Sequence, residues 1–336
     1  MKTKLGNFSD EKIEKDHIHG SIYRDLAHVD IDNVLGDNQY EIRSDPDGLP
    51  KTKDGKTKVI LCTRIDWETN CGNLVNCFDF MNGHENNFKF ILITYGSYIS
   101  PPERFIENMP AALHKWYAVN AETDSEKIVG IPLGIAKPIW ENGQIRTAII
   151  ENTSEVKTGL LYINHNISTD ERTPRKGLRK TIYDRFNSED GDWFTIKEQS
   201  GGCNLYGTDP SDVPHGTKER GGRIFDDGEK PISESTKNFI KEMSSHKFVL
   251  SPSGMGLETM RTWEALYSRT IPIIQRCKSL DCFSDLPVLY TDDYSEISEE
   301  YLNEVYEDYS NREWDLSKMF FSYWKNLILE DYGSMD

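Results

Sequence analysis

Residues 245–274 read S-H-K-F-V-L-S-P-S-G-M-G-L-E-T-M-R-T-W-E-A-L-Y-S-R-T-I-P-I-I, and the fold is decided here. The pattern predicts a strand over 247–250, a glycine-containing turn over 251–256, a helix over 257–268 and a second strand over 271–274. A strand that enters a helix through such a turn leaves free backbone N–H groups at the positive end of the helix dipole. That place receives phosphate readily. On the predicted helix Glu258, Arg261 and Glu264 follow at three-residue steps as a polar staircase, with Leu257, Met260, Trp263 and Tyr267 on the other side. A fixed guanidinium at the mouth of the turn can grip a diphosphate, and a carboxylate one turn on can accept both hydroxyls of a ribose. The competing reading is a surface helix with a Glu–Arg–Glu salt ladder, which pattern alone rates about equally.

Three segments decide between these readings. The first is K-F-V-L-S-P-S-G-M-G-L-E-T-M-R-T-W-E-A-L-Y-S-R-T-I-P-I-I. The second is K-W-Y-A-V-N-A-E with K-I-V-G-I-P-L-G-I (115–135), and the third is L-Y-I-N-H-N-I-S-T-D-E-R (161–172). Together they resemble exostosin-like, inverting glycosyltransferases of the GT-B type, whose donor-site strand ends in S-P-x-G before a helix carrying R-x-W-E-A-L. The matches run in the expected order. Ser268-Arg269 stands where that family usually has glycine, and Glu258 where an aspartate is usual.

The resemblance implies an α/β fold of two Rossmann-like parallel-sheet domains facing a cleft. Residues 1–145 would form the acceptor side and 146–315 the nucleotide-sugar side, with a last helix (316–336) packing back on the first. It implies a nucleotide-sugar donor, UDP-sugar favoured over GDP-sugar, and a glycan or glycoconjugate hydroxyl as acceptor. No tightly bound cofactor is expected. The donor would be held by Asn164, Arg172, Arg175, Ser251, Ser253, Gly254, Gly256, Glu258, Arg261 and Glu264. Either Arg172 or Arg175 would meet the diphosphate, and Glu264 the ribose.

Bulk properties agree with a soluble globular chain. Its 336 residues allow two domains with proper cores. A net charge of −17 argues against nucleic acid or an anionic membrane as main partner. The cluster Arg172, Arg175, Lys176, Arg179 and Lys180 still supplies a local basic stretch. Six cysteines without zinc spacing read as free thiols in a reducing compartment ahead of a disulfide, and the expected location is the cytoplasm. Residues 1–12 lack the apolar stretch of a signal peptide, and no run reaches membrane-span length.

Residues 1–57 read as polar and turn-rich, and Asp16-His17-Ile18-His19 as surface rather than a metal pair. Continuous apolar strands are predicted at 58–63 and 89–94, as in a parallel sheet covered on both faces. The loops beyond their carboxyl ends bring Asp66, Glu68, Tyr98 and Glu103 to where an acceptor binds. A short helix and strand follow over 111–119, then a strand over 127–131 ending at Pro132-Leu-Gly134. Residues 137–158 read as the crossing between domains. A second α/β pattern has a strand at 160–163, a basic helix at 172–186 and a strand at 192–197. The Gly-, Asp- and Ser-rich stretch 198–235 reads as a long loop, and a helix over 235–243 leads into the central motif. After it come a strand at 287–290, an acidic helical stretch at 292–311 and an amphipathic helix at 316–329.

No DxD-like metal site stands out; Asp292-Asp293 and Asp226-Asp227 are the only tempting carboxylate pairs. The leaving diphosphate is therefore left to N–H groups and fixed cations. Inversion in one displacement needs a general base. The expected Asp or His after the 89–94 strand is absent from Tyr95-Gly-Ser-Tyr98, so Asp66 is the leading candidate, with Glu68 and Glu103 behind it. A non-catalytic nucleotide-sugar or glycan binder and, more remotely, a sugar-nucleotide epimerase are the alternatives.

Overall fold

The computed structural model describes residues 2–31, 40–65, 71–96, 98–135, 145–170, 173, 175–197 and 234–336. Strands are β1 (Lys2–Thr3), β2 (Val29–Ile31), β3 (Tyr40–Ile42), β4 (Thr57–Thr63), β5 (Phe88–Thr94), β6 (Leu113–Ala118) and β7 (Ile128–Gly130). They continue as β8 (Gly159–Ile163), β9 (Phe194–Ile196), β10 (His246–Leu250), β11 (Ile271–Gln275), β12 (Leu289–Thr291) and β13 (Trp314–Asp315). The helices are α1 (Asp10–Asp16), α2 (Gly72–Gly83), α3 (Glu103–Glu107), α4 (Ile145–Asn152) and α5 (Leu178–Asn187). After them come α6 (Glu234–Ser244), α7 (Met260–Tyr267), α8 (Glu299–Asn311) and α9 (Phe321–Ser334).

Two sheets organise these elements. One has the order β3-β2-β4-β5-β6-β7, parallel except at the β2–β3 edge. The other, β12-β11-β10-β8-β9, is parallel throughout. Parallel strands need both faces covered, and the side-chain alternation shows how this is done. Val59, Leu61, Phe90 and Leu92 pack in a layer belonging to the first sheet alone. Leu161, Ile163, Phe248 and Leu250 do the same for the second. The intervening residues, Ile60, Cys62, Ile91 and Ile93 on one sheet and Tyr162 and Val249 on the other, enter a common middle layer. Helices α4, α6 and α7 fill that layer through Ile149, Ile240 and Trp263.

Both ends of the described chain tie into this arrangement. β1 pairs antiparallel with β13, so the first residues lie beside the last third of the chain. Helix α9 lies against the first sheet: the Tyr117 hydroxyl donates to Asp331 at 2.5 Å and Lys58 Nζ to the Gly333 carbonyl at 2.8 Å. No helix among the described residues is long and apolar enough to cross a membrane.

Several expectations need correction. Residues 1–57 are not mainly surface turns: Ile13, Ile18 and Tyr23 are fully buried, and β2 extends the first sheet. His17 is buried too, its ring 5.3 Å from that of His19 and its pKa lowered to about 4, chiefly by burial. The crossing at 137–158 contains α4, because Ile145, Ala148 and Ile149 recur at helical spacing and are buried. The basic helix starts late, at Leu178, after Gly177 in the left-handed region (φ 86°). The last helix is interrupted at Phe320, which is extended between a 3-10 turn (Leu316–Met319) and α9. The central helix begins at Met260 rather than 257, since Thr259 is extended and serves as its N-cap residue.

Candidate functional site

The turn after β10 is built by short polar side chains. Ser251 Oγ lies 2.8 Å from Thr259 Oγ1 and 2.9 Å from Thr262 Oγ1, which closes the loop onto the first turn of α7. The Gly254 N–H donates to the Gly256 carbonyl at 3.0 Å. A Cβ on Gly256 would stand 2.9 Å from the Tyr98 carbonyl oxygen and 3.2 Å from Asn120 Nδ2, so glycine lets the turn approach the first half this closely. A Cβ on Gly254 would meet Arg179 Nη2 and Thr169 Oγ1, each at 3.1 Å.

Around the turn lies a cavity of about 190 Å³. Gly254, Gly256, Ser251, Arg261 and Glu264 line it, and Tyr98 reaches it from the first half. Arg179, His165, Asn166 and Thr169 complete its polar wall.

Two guanidiniums are fixed there. Arg261 is nearly buried, stacks on Phe239 (4.7 Å to the ring centre) and donates through Nη1 to the Asn164 carbonyl. Its Nε lies 3.6 Å from Glu264 Oε2. Arg179, also buried, donates to three carbonyls: Ser253 (2.9 Å), Asn166 (3.0 Å) and Pro252 (2.7 Å). Its own N–H donates to Asp170 Oδ2 at 3.0 Å. Burial first, and the Arg261 charge second, lower its pKa to about 10, which leaves it cationic at neutral pH.

Glu258 has a different part from the one its spacing suggests. It precedes α7 instead of standing on it, and it is 1 % exposed. Its Oε1 accepts from the Leu133 N–H at 2.8 Å and from Trp263 Nε1, while its own N–H donates to Asn120 Oδ1 at 2.8 Å. Burial pushes its pKa up to about 8, so at pH 7 this carboxyl is largely neutral. Glu258 thus ties the turn to the ends of β6 and β7. Nearby, Glu122 Oε2 accepts from the Ser279 N–H at 3.0 Å and Lys278 pairs with Asp124, which adds two further links between the halves.

With Glu258 and His165 neutral, the cavity sets two guanidinium cations against the Glu264 carboxylate. A chain of net charge −17 has therefore gathered two fixed guanidiniums in one recess, with Asp170 behind Arg179. Fixed guanidinium cations in a recess are the chemistry of anion recognition.

The remaining sequence candidates fall as follows. Asn164 lies behind the wall: its carbonyl holds Arg261 and its Nδ2 donates to the Tyr162 hydroxyl at 2.8 Å. Ser253 is buried, and its Oγ accepts from Arg175 Nη1 at 3.1 Å, so Arg175 braces the turn from outside the lining. Glu103 is exposed at the start of α3 and does not line the cavity. Asp66, Glu68 and Arg172 lie outside the described residues, as do 198–233 and the Asp226-Asp227 pair. Of the other carboxylate pair, Asp292 faces Arg276 (3.3 Å) and Asp293 caps a 3-10 turn through Ser295. Among the described residues no group of three or more His, Cys, Asp or Glu could hold a metal ion. Five cysteines are free thiols, and Cys203 is outside the described residues.

Beside His165, Asn166 and Thr169, the lining residue that sequence reading passed over is Arg179. It stood in the basic cluster, but its partners are carbonyls up to 74 residues away, which no local spacing announces. The available signal was Gly177, two residues before it, whose left-handed backbone sets the helix start at Leu178.

No protein-family model matches the chain, and no curated protein matches it. The likeness to exostosin-like enzymes accordingly rests on the motif residues themselves.

Proposed function

We propose that this protein is an inverting glycosyltransferase of the two-lobed, exostosin-like kind. It would move a sugar from a nucleotide diphosphate, a UDP-sugar in the first instance, to a hydroxyl of a glycan or glycoconjugate. The observation that carries the reading is the convergence of Arg179, Arg261, Gly254 and Glu264 on one cavity that Tyr98 also reaches from the other half. Gly254, Arg261 and Glu264 come from one strand–turn–helix stretch, whereas Arg179 and Tyr98 are brought to it from far along the chain.

In this reading the diphosphate lies against the turn 251–256 and the two guanidiniums, and Glu264 accepts from the ribose hydroxyls. The acceptor oxygen attacks the anomeric carbon, the bond from that carbon to the diphosphate oxygen breaks, and the acceptor proton passes to a base. Charge growing on the leaving diphosphate is met by Arg179 and Arg261, which are already fixed by carbonyls and need no reorganisation. A bound divalent cation is not required for this arrangement. Asp66 is assigned the base, ahead of Glu68 and the exposed Glu103.

A second reading has its own support. Among the described residues, both acidic side chains that line the cavity, Glu258 and Glu264, come from the second half. A nucleotide-sugar binder without transfer activity matches that asymmetry.

The test is nucleotide release from UDP- and GDP-sugars with a panel of glycan acceptors, with and without EDTA. Arg261→Ala and Glu264→Ala are expected to lose on the order of a hundredfold or more in rate. Unchanged turnover in both, in protein that melts as the parent does, excludes this site. Tight binding of the donor with no transfer or hydrolysis over long incubation selects the second reading.

A further inference from the structure

The cavity leaves part of its own hydrogen bonding unanswered. Among the described residues, three buried polar atoms of its lining have no hydrogen-bond partner: Arg261 Nε, Thr169 Oγ1 and His165 Nδ1. The first can only donate, and the second can do either. The part of the third is fixed by the other end of its ring. His165 Nε2 lies 2.9 Å from the Arg179 carbonyl oxygen, which only accepts, so Nε2 carries the proton and Nδ1 a lone pair. Burial first, then the neighbouring Arg179 charge, hold the imidazole neutral by lowering its pKa to about 3. His165 is 3 % exposed, and the charges of both Arg179 and Arg261 act on its ring.

An acceptor-only nitrogen in the middle of an anion site is chemically selective. The oxygens of an ionised diphosphate diester carry lone pairs and no protons, so they answer Arg261 Nε and Thr169 Oγ1 but not His165 Nδ1. We propose that His165 accepts a hydrogen bond from a hydroxyl carried within a few bonds of the bound diphosphate, and that the site thereby prefers a ligand with that hydroxyl to its deoxy counterpart. This rests on the nucleotide-sugar reading and deepens it. Two hydroxyls have the required chemistry: one on the ribose and one on the transferred sugar beside its anomeric carbon.

Calorimetric titration of the intact chain separates them. The probes are UDP-glucose, UDP-2-deoxyglucose, 2′-deoxyuridine diphosphate glucose and inorganic pyrophosphate. Loss of one neutral hydrogen bond is expected to weaken one of the two deoxy ligands about tenfold. Because Glu264 also meets the ribose in this reading, the hydroxyl is named by the deoxy ligand whose penalty disappears when the imidazole is removed. His165→Phe should bring that ratio to within about twofold while leaving pyrophosphate affinity nearly unchanged. His165→Gln, which retains both a donor and an acceptor, should preserve much of the ratio. If His165→Phe does not fold, His165→Leu takes its place. Equal binding of all three nucleotide sugars to the parent overturns the proposal, and so does a ratio that survives removal of the imidazole. If neither the nucleotide sugars nor pyrophosphate bind, the nucleotide-sugar reading falls and takes this proposal with it.

Discussion

At the scale of single residues, Glu258 offers the sharpest test. Its folded pKa is about 8 against an ordinary 4.5. Between those values the unfolded chain has released the proton and the folded chain still holds it. Stability contributed by this group therefore falls as pH rises from about 4.5 to about 8, and is flat above. His17 acts in the opposite sense: its pKa, lowered to about 4 from 6.5, makes the fold lose stability as pH falls through that window. Glu258→Gln isolates the first effect, because an amide oxygen still accepts from Leu133 and Trp263 but does not titrate. Urea melts at intervals from pH 5 to 9 should show the parent declining relative to the variant up to pH 8. Parallel curves would mean that the carboxyl is ionised throughout. Neither this role nor that of Arg179 was legible in the sequence. Glu258 sits at helical spacing from Arg261, yet its partners Leu133 and Asn120 lie 125 and 138 positions away. Spacing reports neighbours along an element, and these partners are neighbours across a seam.

At the scale of elements, the strand–turn–helix–strand at 245–274 was readable because each piece has a local cause. Phe248, Val249 and Leu250 form an apolar run, the glycines permit a close turn, and Trp263 and Tyr267 recur on one face of α7. The helix start was misplaced by three residues, since Thr259 is held extended by its hydroxyl contact to Ser251 across the turn. Gly256 gives the prediction at this level. Its missing Cβ space is bounded by backbone, the Tyr98 carbonyl, which cannot swing aside as a side chain would. Gly256→Ala should therefore cost about 1–3 kcal/mol, read as a lowered thermal midpoint. Gly254→Ala meets side-chain atoms of Arg179 and Thr169 instead, so its loss should appear mainly in affinity for pyrophosphate. Equal melting losses in the two variants would count against this division.

At the scale of the whole molecule, the sequence disclosed two αβ patterns but not that they share a layer. Residues such as Ile60 and Val59 are equally apolar, and nothing local distinguishes the face that meets the other sheet from the face that meets only its own helices. The shared layer predicts joint unfolding. Trp324 is buried in it and packs edge-on against Phe283, so Trp324→Ala should cost about 3–5 kcal/mol and lower one cooperative transition. Calorimetry resolving two transitions, only one of them moved, would show that the halves melt independently. The fastening of the turn to Asn120 and Leu133 has a kinetic corollary. On the proposed function, a spent nucleotide lodged under that turn would depart past a rim anchored on the opposite half, and its dwell time would be governed by how readily those anchors let go. Loosening them should quicken escape even where it weakens capture.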